Sequence, residues 1–231
     1  MLRTLNVALA TGVSVVRAGS GSRVGALGAR PERPLVLYDF EACPYCRKVR
    51  EAFSILDLDA EIRPCPRGGL RYRREVERRG GKAQFPYLVD PNADTAMYES
   101  DDIVAHLFRR YGAGAVPAIL RPGALGLVTS SVASLLRPGV GAIYRAARAP
   151  AQLLELYAYE ASPFCRLVRE RLSSYEIAYR LHNVARGSAR REAFVARSGR
   201  MQVPFLVDPN AGVSLFESAE IVRHLERTYA A

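Results

Sequence analysis

Apolar and polar positions alternate along this chain in a succession that occurs twice. Leu35, Val36, Leu37 and Tyr38 form an apolar run of strand length, and the strand is expected to end at Phe40. Val49, Phe53 and Leu56 then fall on one face of a helix predicted over Pro44–Asp57. Ala60–Arg63 suits a second strand, and Leu70–Arg79 a highly charged, exposed helix followed by Gly80-Gly81. Tyr87–Val89 and Thr95–Tyr98 read as a hairpin around Asp90-Pro91-Asn92, and a last helix runs from Ser100 to about Tyr111.

The whole pattern then returns. Phe85-Pro86-Tyr87-Leu88-Val89-Asp90-Pro91-Asn92 recurs 118 residues later as Val203-Pro204-Phe205-Leu206-Val207-Asp208-Pro209-Asn210. Glu99-Ser100 recurs as Glu217-Ser218, and Ile103, Val104, His106 and Leu107 as Ile221, Val222, His224 and Leu225. Cys43-Pro44-Tyr45-Cys46 matches Ser162-Pro163-Phe164-Cys165 at an offset of 119, so one residue is lost in between. Such internal repetition makes two copies of one unit the governing feature. The order β-α-β-α-β-β-α is that of a thioredoxin fold, so the expected class is α/β: two tandem thioredoxin-like domains with mixed four-stranded sheets. The expected boundaries are a segment 1–33, a first domain 34–112, a linker 113–151 and a second domain 152–231.

Composition adds modest limits. A chain of 231 residues with 49% hydrophobic and 24% charged residues is an ordinary globular protein of one or two domains. The formal charge of +10 is carried almost wholly by arginine, since Lys48 and Lys82 are the only lysines. Such a balance suits phosphates, an anionic membrane surface or an anionic small molecule such as a peptide thiol. No basic run interleaved with aromatics appears, so nucleic acid is not expected as a partner. Residues 1–31 lack acids and carry Arg3, Arg17, Arg23 and Arg30 among Ala, Gly and Ser, the composition of an organellar transit peptide. Against that, Ala10–Gly19 lines up with Ser130–Gly139 in mid-chain, which places the segment in the folded repeat. The linker is also acid-free, and its apolar middle, Leu125–Leu136, falls short of the roughly 20 residues a membrane span needs. It reads as a short packed helix, with peripheral membrane contact as the competing reading.

The chemistry centres on Cys43-Pro44-Tyr45-Cys46, a C-x-x-C between strand and helix. Pro44 suits the first helical turn, which puts Cys43 at the helix N-terminus. Free N–H groups and the helix dipole favour a thiolate there, and comparable cysteines have pKa values lowered to roughly 3.5–7.5. Cys43 is the candidate nucleophile and Cys46, one turn on, the resolving thiol. The competing readings are two buried structural thiols or half of a zinc site, but no second C-x-x-C completes one. Cys65 is expected to be buried as a small apolar residue, His106 and His224 to serve packing or surface, and no metal is expected.

C-P-Y-C, then F-P-Y-L-V-D, then E-S, in this order and spacing, resembles the glutaredoxins and the N-terminal domain of glutathione S-transferases. The second copy, with V-P-F-L-V-D and F-E-S-A-E-I-V-R-H-L, resembles the transferase domain more closely still, and the tandem arrangement is similar to a group of plastid-associated plant and algal proteins. The resemblance implies cis bonds before Pro86 and Pro204, with the backbone of Phe85 or Val203 pairing with the cysteinyl part of glutathione. It implies that Glu99-Ser100 and Glu217-Ser218 hold the γ-glutamyl end, and it places Tyr45 at the same site. A serine at a helix N-terminus independently offers N–H groups to a carboxylate, although plain capping explains it as well. Two departures stand out. Phe40-Glu41-Ala42 replaces the basic residue that usually meets the glycyl carboxylate, and the glutamate would repel it, so Arg67 or Arg71 would have to substitute. Ser162 replaces the second nucleophile and resembles serine-type transferases, whose hydroxyl hydrogen-bonds the glutathione thiolate. Neither copy is followed by an all-helical domain, so conjugation is not expected.

The reading that follows is a glutathione-dependent thiol–disulfide oxidoreductase. Glutathione is its co-substrate, a disulfide or glutathionylated protein its partner, and the second domain a glutathione- or partner-binding copy. Its alternatives are a redox-inactive scaffold and a glutathione-ligated iron–sulfur protein through Cys43. The expected compartment is the chloroplast, or else the cytoplasm.

Overall fold

The apolar run at Leu35 becomes the first strand, β1 (Leu35–Asp39), of a computed structural model that describes residues 19–122 and 140–231. There follow α1 (Pro44–Ile55), β2 (Ala60–Pro64), α2 (Tyr72–Gly80), β3 (Tyr87–Asp90), β4 (Thr95–Met97) and α3 (Ser100–Tyr111). The second copy repeats them as β5 (Leu154–Ala158), α4 (Pro163–Ser174), β6 (Tyr179–Asn183), α5 (Arg191–Ser198), β7 (Phe205–Asp208), β8 (Val213–Phe216) and α6 (Ser218–Tyr229). A short 3-10 turn, Ala118–Leu120, follows the first copy. The apolar stretch Leu125–Leu136, and all of Ala10–Gly19 and Ser130–Gly139 except Gly19, lie outside the described residues.

Helix ends differ from the periodicity for stated reasons. Asp57 takes a left-handed φ of 51°, so α1 stops at Ile55 instead of Asp57. The carboxylate of Glu176, from the other copy, accepts the N–H groups of Leu70, Arg71 and Tyr72, so α2 starts at Tyr72 and not Leu70. An acid 104 residues beyond Tyr72 thereby caps a helix N-terminus, where the free N–H groups and the dipole both favour negative charge.

Each copy builds a four-stranded mixed sheet in which β1 pairs parallel with β2 and antiparallel with β3. These sheets do not remain separate. β2 pairs antiparallel with β6 (Ala60 opposite Leu181, Ile62 opposite Tyr179), giving one eight-stranded sheet in the order β4-β3-β1-β2-β6-β5-β7-β8. Each β2-type strand would otherwise leave a row of unpaired backbone groups at a sheet edge, and the other copy covers it. One apolar core spans both halves, from Leu35, Leu37 and Phe53 to Leu154, Leu156 and Leu172.

Two arms obey the same pseudo-symmetry. Residues 19–30 hydrogen-bond to the ends of α1 and α3 through Gly25 and Gly28, and reach across to the second copy where Val24 N donates to Arg186 O. Residues 140–150 do the reciprocal: Arg145 and Arg148 meet the ends of α4 and α6, while Arg67 N in the first copy's loop donates to Ala142 O and Tyr144 N donates to Arg67 O.

Where α1 and α4 approach the axis, apolar packing gives way to buried charge. Arg50 Nε lies 3.1 Å from Glu160 Oε2, and its other nitrogens lie 2.5 Å from Asp39 and 3.2 Å from Glu41. Arg169 mirrors it, 3.0 Å from Glu41 Oε2 and 3.0 Å from Glu160 Oε2. Arg47–Glu51 and Arg166–Glu170 flank the pair at 3.1 Å each. All of these side chains are buried. Burial works against the charge on Glu41, but Arg169, Arg50 and Arg166 outweigh it and hold its carboxyl at about 2.

Removing one partner of such a buried pair costs about 3–5 kcal/mol. Glu41→Gln is therefore expected to lower the urea midpoint markedly at neutral pH. Because the folded carboxyl is depressed, its stabilisation is fully present above about pH 4.5 and fades as pH falls toward about 2. The gap between wild type and variant should close over that window; equal midpoints at pH 7 would contradict the assignment.

Candidate functional site

Cys43 caps α1. Its φ of −77° and ψ of 123° are extended, Pro44 opens the helix, and the Cys43 Sγ accepts a hydrogen bond from Cys46 N at 3.4 Å. This is the bond a serine or aspartate N-cap makes, with sulfur in place of oxygen. The Cys46 thiol, the backbone N–H groups of Cys46 and Tyr45, and the charge of Arg50 favour the Cys43 thiolate and lower its pKa against the opposing effect of burial. Burial pushes Cys46 well above the ordinary thiol range, with the adjacent Cys43 adding to it. The two buried sulfurs are thus pushed apart, Cys43 toward the thiolate and Cys46 toward the thiol, with Cys43 the slightly more accessible.

The strand order brings the other singled-out residues around this turn. Tyr38 on β1 faces Tyr87 on β3, so Pro86 stands beside the end of β1, and the rings of Phe40 and Phe85 meet edge to face at 6.3 Å. Phe85–Pro86 is a cis peptide bond. Glu99 holds a left-handed φ of 63° at the N-cap of α3, and its carboxylate accepts from Gln84 Nε2 at 2.5 Å, one residue before Phe85. Ser100 is buried in the first turn, and Lys48 of α1 pairs with Asp101 beside it. Tyr45 stands 46% exposed next to Cys43. Cys43, Cys46, Tyr45, Phe85, Pro86, Glu99 and Ser100 therefore belong to one neighbourhood, built where the ends of β1 and β3 meet two helix N-termini.

Two expectations about charge are corrected. Glu41 does not face the site: its carboxylate lies in the interface on Arg169, 128 residues away in sequence, where it is neutralised. Nor does Arg71 supply a cation to the site, because its guanidinium is spent on Ala147 O, Tyr175 O and Glu176 between the copies. Arg67 is exposed, but its backbone is fixed to the arm at Ala142 and Tyr144. The cation beside Phe85 is Arg73, which lies 4.7 Å from the ring centroid and donates to Cys65 O. Sequence reasoning missed it among the arginines of Leu70–Arg79. Its counterpart Arg191 at the matching place in the second copy is the signal that could have found it.

The second copy repeats the scaffold with altered atoms. Ser162 caps α4, accepting from Cys165 N at 3.3 Å, and burial raises the Cys165 thiol. Val203–Pro204 is cis, Glu217 has φ 63° and accepts from Gln202 at 2.5 Å, and Ser218 is buried. Tyr159 stands where the first copy has Phe40, with Arg186 and Arg191 near its ring hydroxyl. Arg191 Nε is buried with no hydrogen-bond partner among the described residues.

Cys65 is buried, and burial raises its thiol well above the ordinary range. His106 bonds Asp90 at 2.8 Å and His224 bonds Asp208 at 2.8 Å, each aspartate also taking a tyrosine hydroxyl. Both histidines are therefore tied into packing. Among the described residues no group of three metal-ligating side chains converges, and no helix is long and apolar enough to cross a membrane.

Compared with known families, residues 37–123 and 156–231 both match the model described as the glutathione S-transferase N-terminal domain. Among solved structures, a glutathione transferase of Bombyx mori, BmGSTD1, aligns with 24% identity and a TM-score of 0.34. The alignment covers 37% of this chain and 39% of that one, so this chain spans well under half of that relative. Comparison with curated proteins gives no match.

Iodoacetamide should alkylate Cys43 with a pH midpoint below the ordinary thiol value of about 8.5, leaving Cys46, Cys65 and Cys165 unmodified in the native protein. Peptide mapping after alkylation at graded pH checks this. Modification spread evenly over the four thiols would contradict it.

Proposed function

The chain belongs to the glutathione S-transferase N-terminal domain family, and from that membership we propose that it is a glutathione-dependent thiol–disulfide oxidoreductase working through Cys43 and Cys46. The family supports a glutathione-related function in general. The observation that carries the specific reading is the division of labour within one turn of α1: a stabilised thiolate at the N-cap and a buried, protonated partner that donates to it.

The chemistry balances with glutathione as reductant. The Cys43 thiolate attacks one sulfur of a disulfide, forming a mixed disulfide and expelling the other sulfur as a thiolate, which takes a proton. Cys46 gives up its proton and attacks Cys43 Sγ, releasing the second substrate thiol and closing Cys43–Cys46. Two molecules of glutathione, oxidised together to one disulfide, return the pair to dithiol. With a glutathionylated substrate, Cys43 takes the glutathionyl sulfur, and a second glutathione resolves the adduct without Cys46.

The surrounding groups suit the tripeptide. Glu99 is placed for its ammonium, the N–H groups at Ser100 for its α-carboxylate, the backbone of Phe85 for the cysteinyl unit and Arg73 for the glycyl carboxylate. In the second copy Ser162 cannot exchange disulfides. With Glu217, Ser218, Val203 and the unpartnered Nε of Arg191, that copy is suited to hold glutathione without turning it over.

The test is reduction of a small glutathione mixed disulfide, coupled to glutathione reductase. Wild type should turn over, Cys43→Ser should lose all activity, and Cys46→Ser should keep a large share through the monothiol route. Arg73→Met should raise KM for glutathione about tenfold, the cost of one charge-assisted hydrogen bond. Wild-type inactivity alongside calorimetric glutathione binding would replace this reading with a binding role.

A further inference from the structure

The two copies hold their arms in the same way and clothe them differently. The second arm, Val140-Gly141-Ala142-Ile143-Tyr144, lies against the dithiol half. A Cβ placed on Gly141 would stand 3.0 Å from Glu41 Cβ, Ile143 forms a bridge with Arg67, and Gly68 faces Tyr144. The first arm, Ser20-Gly21-Ser22-Arg23-Val24, lies against the Ser162 half by equivalent contacts, with Gly21 at Glu160 and Arg23 bridged to Arg186. Backbone and register are shared, yet Val140 and Ile143 stand where the other arm has Ser20 and Arg23. Leu70, in the loop beside the arm, likewise stands where the second copy has Ala189.

These apolar side chains are not core. Seven large apolar residues are more than a third exposed among the described residues, and four of them, Tyr45 (46%), Leu70 (54%), Val140 (39%) and Ile143 (61%), flank this one turn and loop. The loop is joined to the dithiol strand where Cys65 N donates to Asp39 O at 2.5 Å, so the rim starts from the segment that carries Cys43. Exposed charge around it is predominantly basic: residues 64–74 and 140–150 contain no acid, and Arg67, Arg74, Arg145 and Arg148 are exposed, while the guanidinium of Arg71 is taken by Glu176. A cleft of about 740 Å³ opens beside Leu70, walled by Arg71, Tyr72, Arg74 and Arg78 and also by Glu75 and Glu77.

We propose that this rim is the docking surface for a polypeptide substrate whose half-cystine is flanked by an apolar side chain and by acidic residues. The inference rests on the dithiol reading of Cys43 and names the substrate class of that site. Its support is the pairing within one molecule: the copy with the nucleophile has Val140, Ile143 and Leu70 where the copy without it has Ser20, Arg23 and Ala189, while Tyr45 and its counterpart Phe164 are exposed in both. Charge complementarity selects the acidic flank, and the exposed apolar cluster marks an interaction site. The arginines with apolar neighbours would also suit an anionic membrane, but a rim set around a disulfide-exchanging turn favours a polypeptide.

The test uses the full chain and a fluorescent acidic peptide with leucine beside a serine in place of cysteine. Companion peptides replace leucine by glycine or the acids by lysine. Anisotropy should show the leucine–acid peptide binding wild type, with each companion about tenfold weaker, as loss of one buried aliphatic side chain or of the charge match implies. Ile143→Arg with Val140→Ser, residues the other arm already accommodates, should weaken the parent peptide about tenfold, and Leu70→Ala separately by several-fold. Turnover of a small glutathione mixed disulfide reports on the fold and on the dithiol reading. Its absence in wild type would sink that reading while the anisotropy still decides the surface. Equal affinity for all three peptides would overturn the proposal. So would unchanged binding in the arm variant, or sedimentation with phosphatidylserine vesicles, lost in that variant, without any peptide binding.

Discussion

Arg50 and Arg169, buried against Glu41 and Glu160 at the pseudo-twofold axis, are the constraint on which the rest of the molecule depends. Each guanidinium pairs with a carboxylate of its own copy and with one of the other, so separating the halves would leave every one of these buried groups short of a partner. The geometry of the association is fixed by hydrogen-bond directions as well as by shape. The same contacts hold α1 at the angle that presents Cys43, since Arg50 is one turn beyond Cys46 on that helix and bonds Asp39 at the end of β1. Its positive charge also favours the Cys43 thiolate. The interface charges and the candidate site share the first two turns of one helix.

Around that axis the copies share what assembly needs and differ at the helix N-cap. Glu41, Arg47, Arg50, Glu51 and Ser54 return as Glu160, Arg166, Arg169, Glu170 and Ser173. Cys43 does not return, nor does Asp39, whose place is taken by Ala158. One half has thus kept a thiol at its N-cap while the other caps the same helix with a hydroxyl. Pairing β2 with β6 gives the second copy a structural role, covering the sheet edge of the first, whatever it binds.

Much of this was legible in the chain because the signals were local. The alternation at Leu35, the apolar face of α1 and the proline after Cys43 are short-range patterns, and the recurrence of F-P-Y-L-V-D as V-P-F-L-V-D exposed the duplication. What was not legible depends on partners far away in sequence. Glu41 reads as an unwelcome charge beside a ligand until Arg169 is found against it, and Arg71 reads as free until Glu176 claims it. The start of α2 was misplaced because its cap comes from the other copy. The fusion of two sheets could not be read either, since Ala60–Pro64 has the pattern of any buried strand, central or paired across an interface. Arg73 was hidden by its arginine neighbours, although its match in Arg191 was present in the repeat.

The central claim is that Cys43 is the thiolate that exchanges with glutathione and Cys46 the thiol that resolves it. Intact mass and peptide mapping after exposure to oxidised glutathione test this most directly. Wild type should lose two hydrogens to a Cys43–Cys46 disulfide, and Cys46→Ser should gain one glutathionyl group, on Cys43 alone. A Cys46→Ser protein that stays unmodified, or carries its adduct on Cys65 or Cys165, would contradict the account.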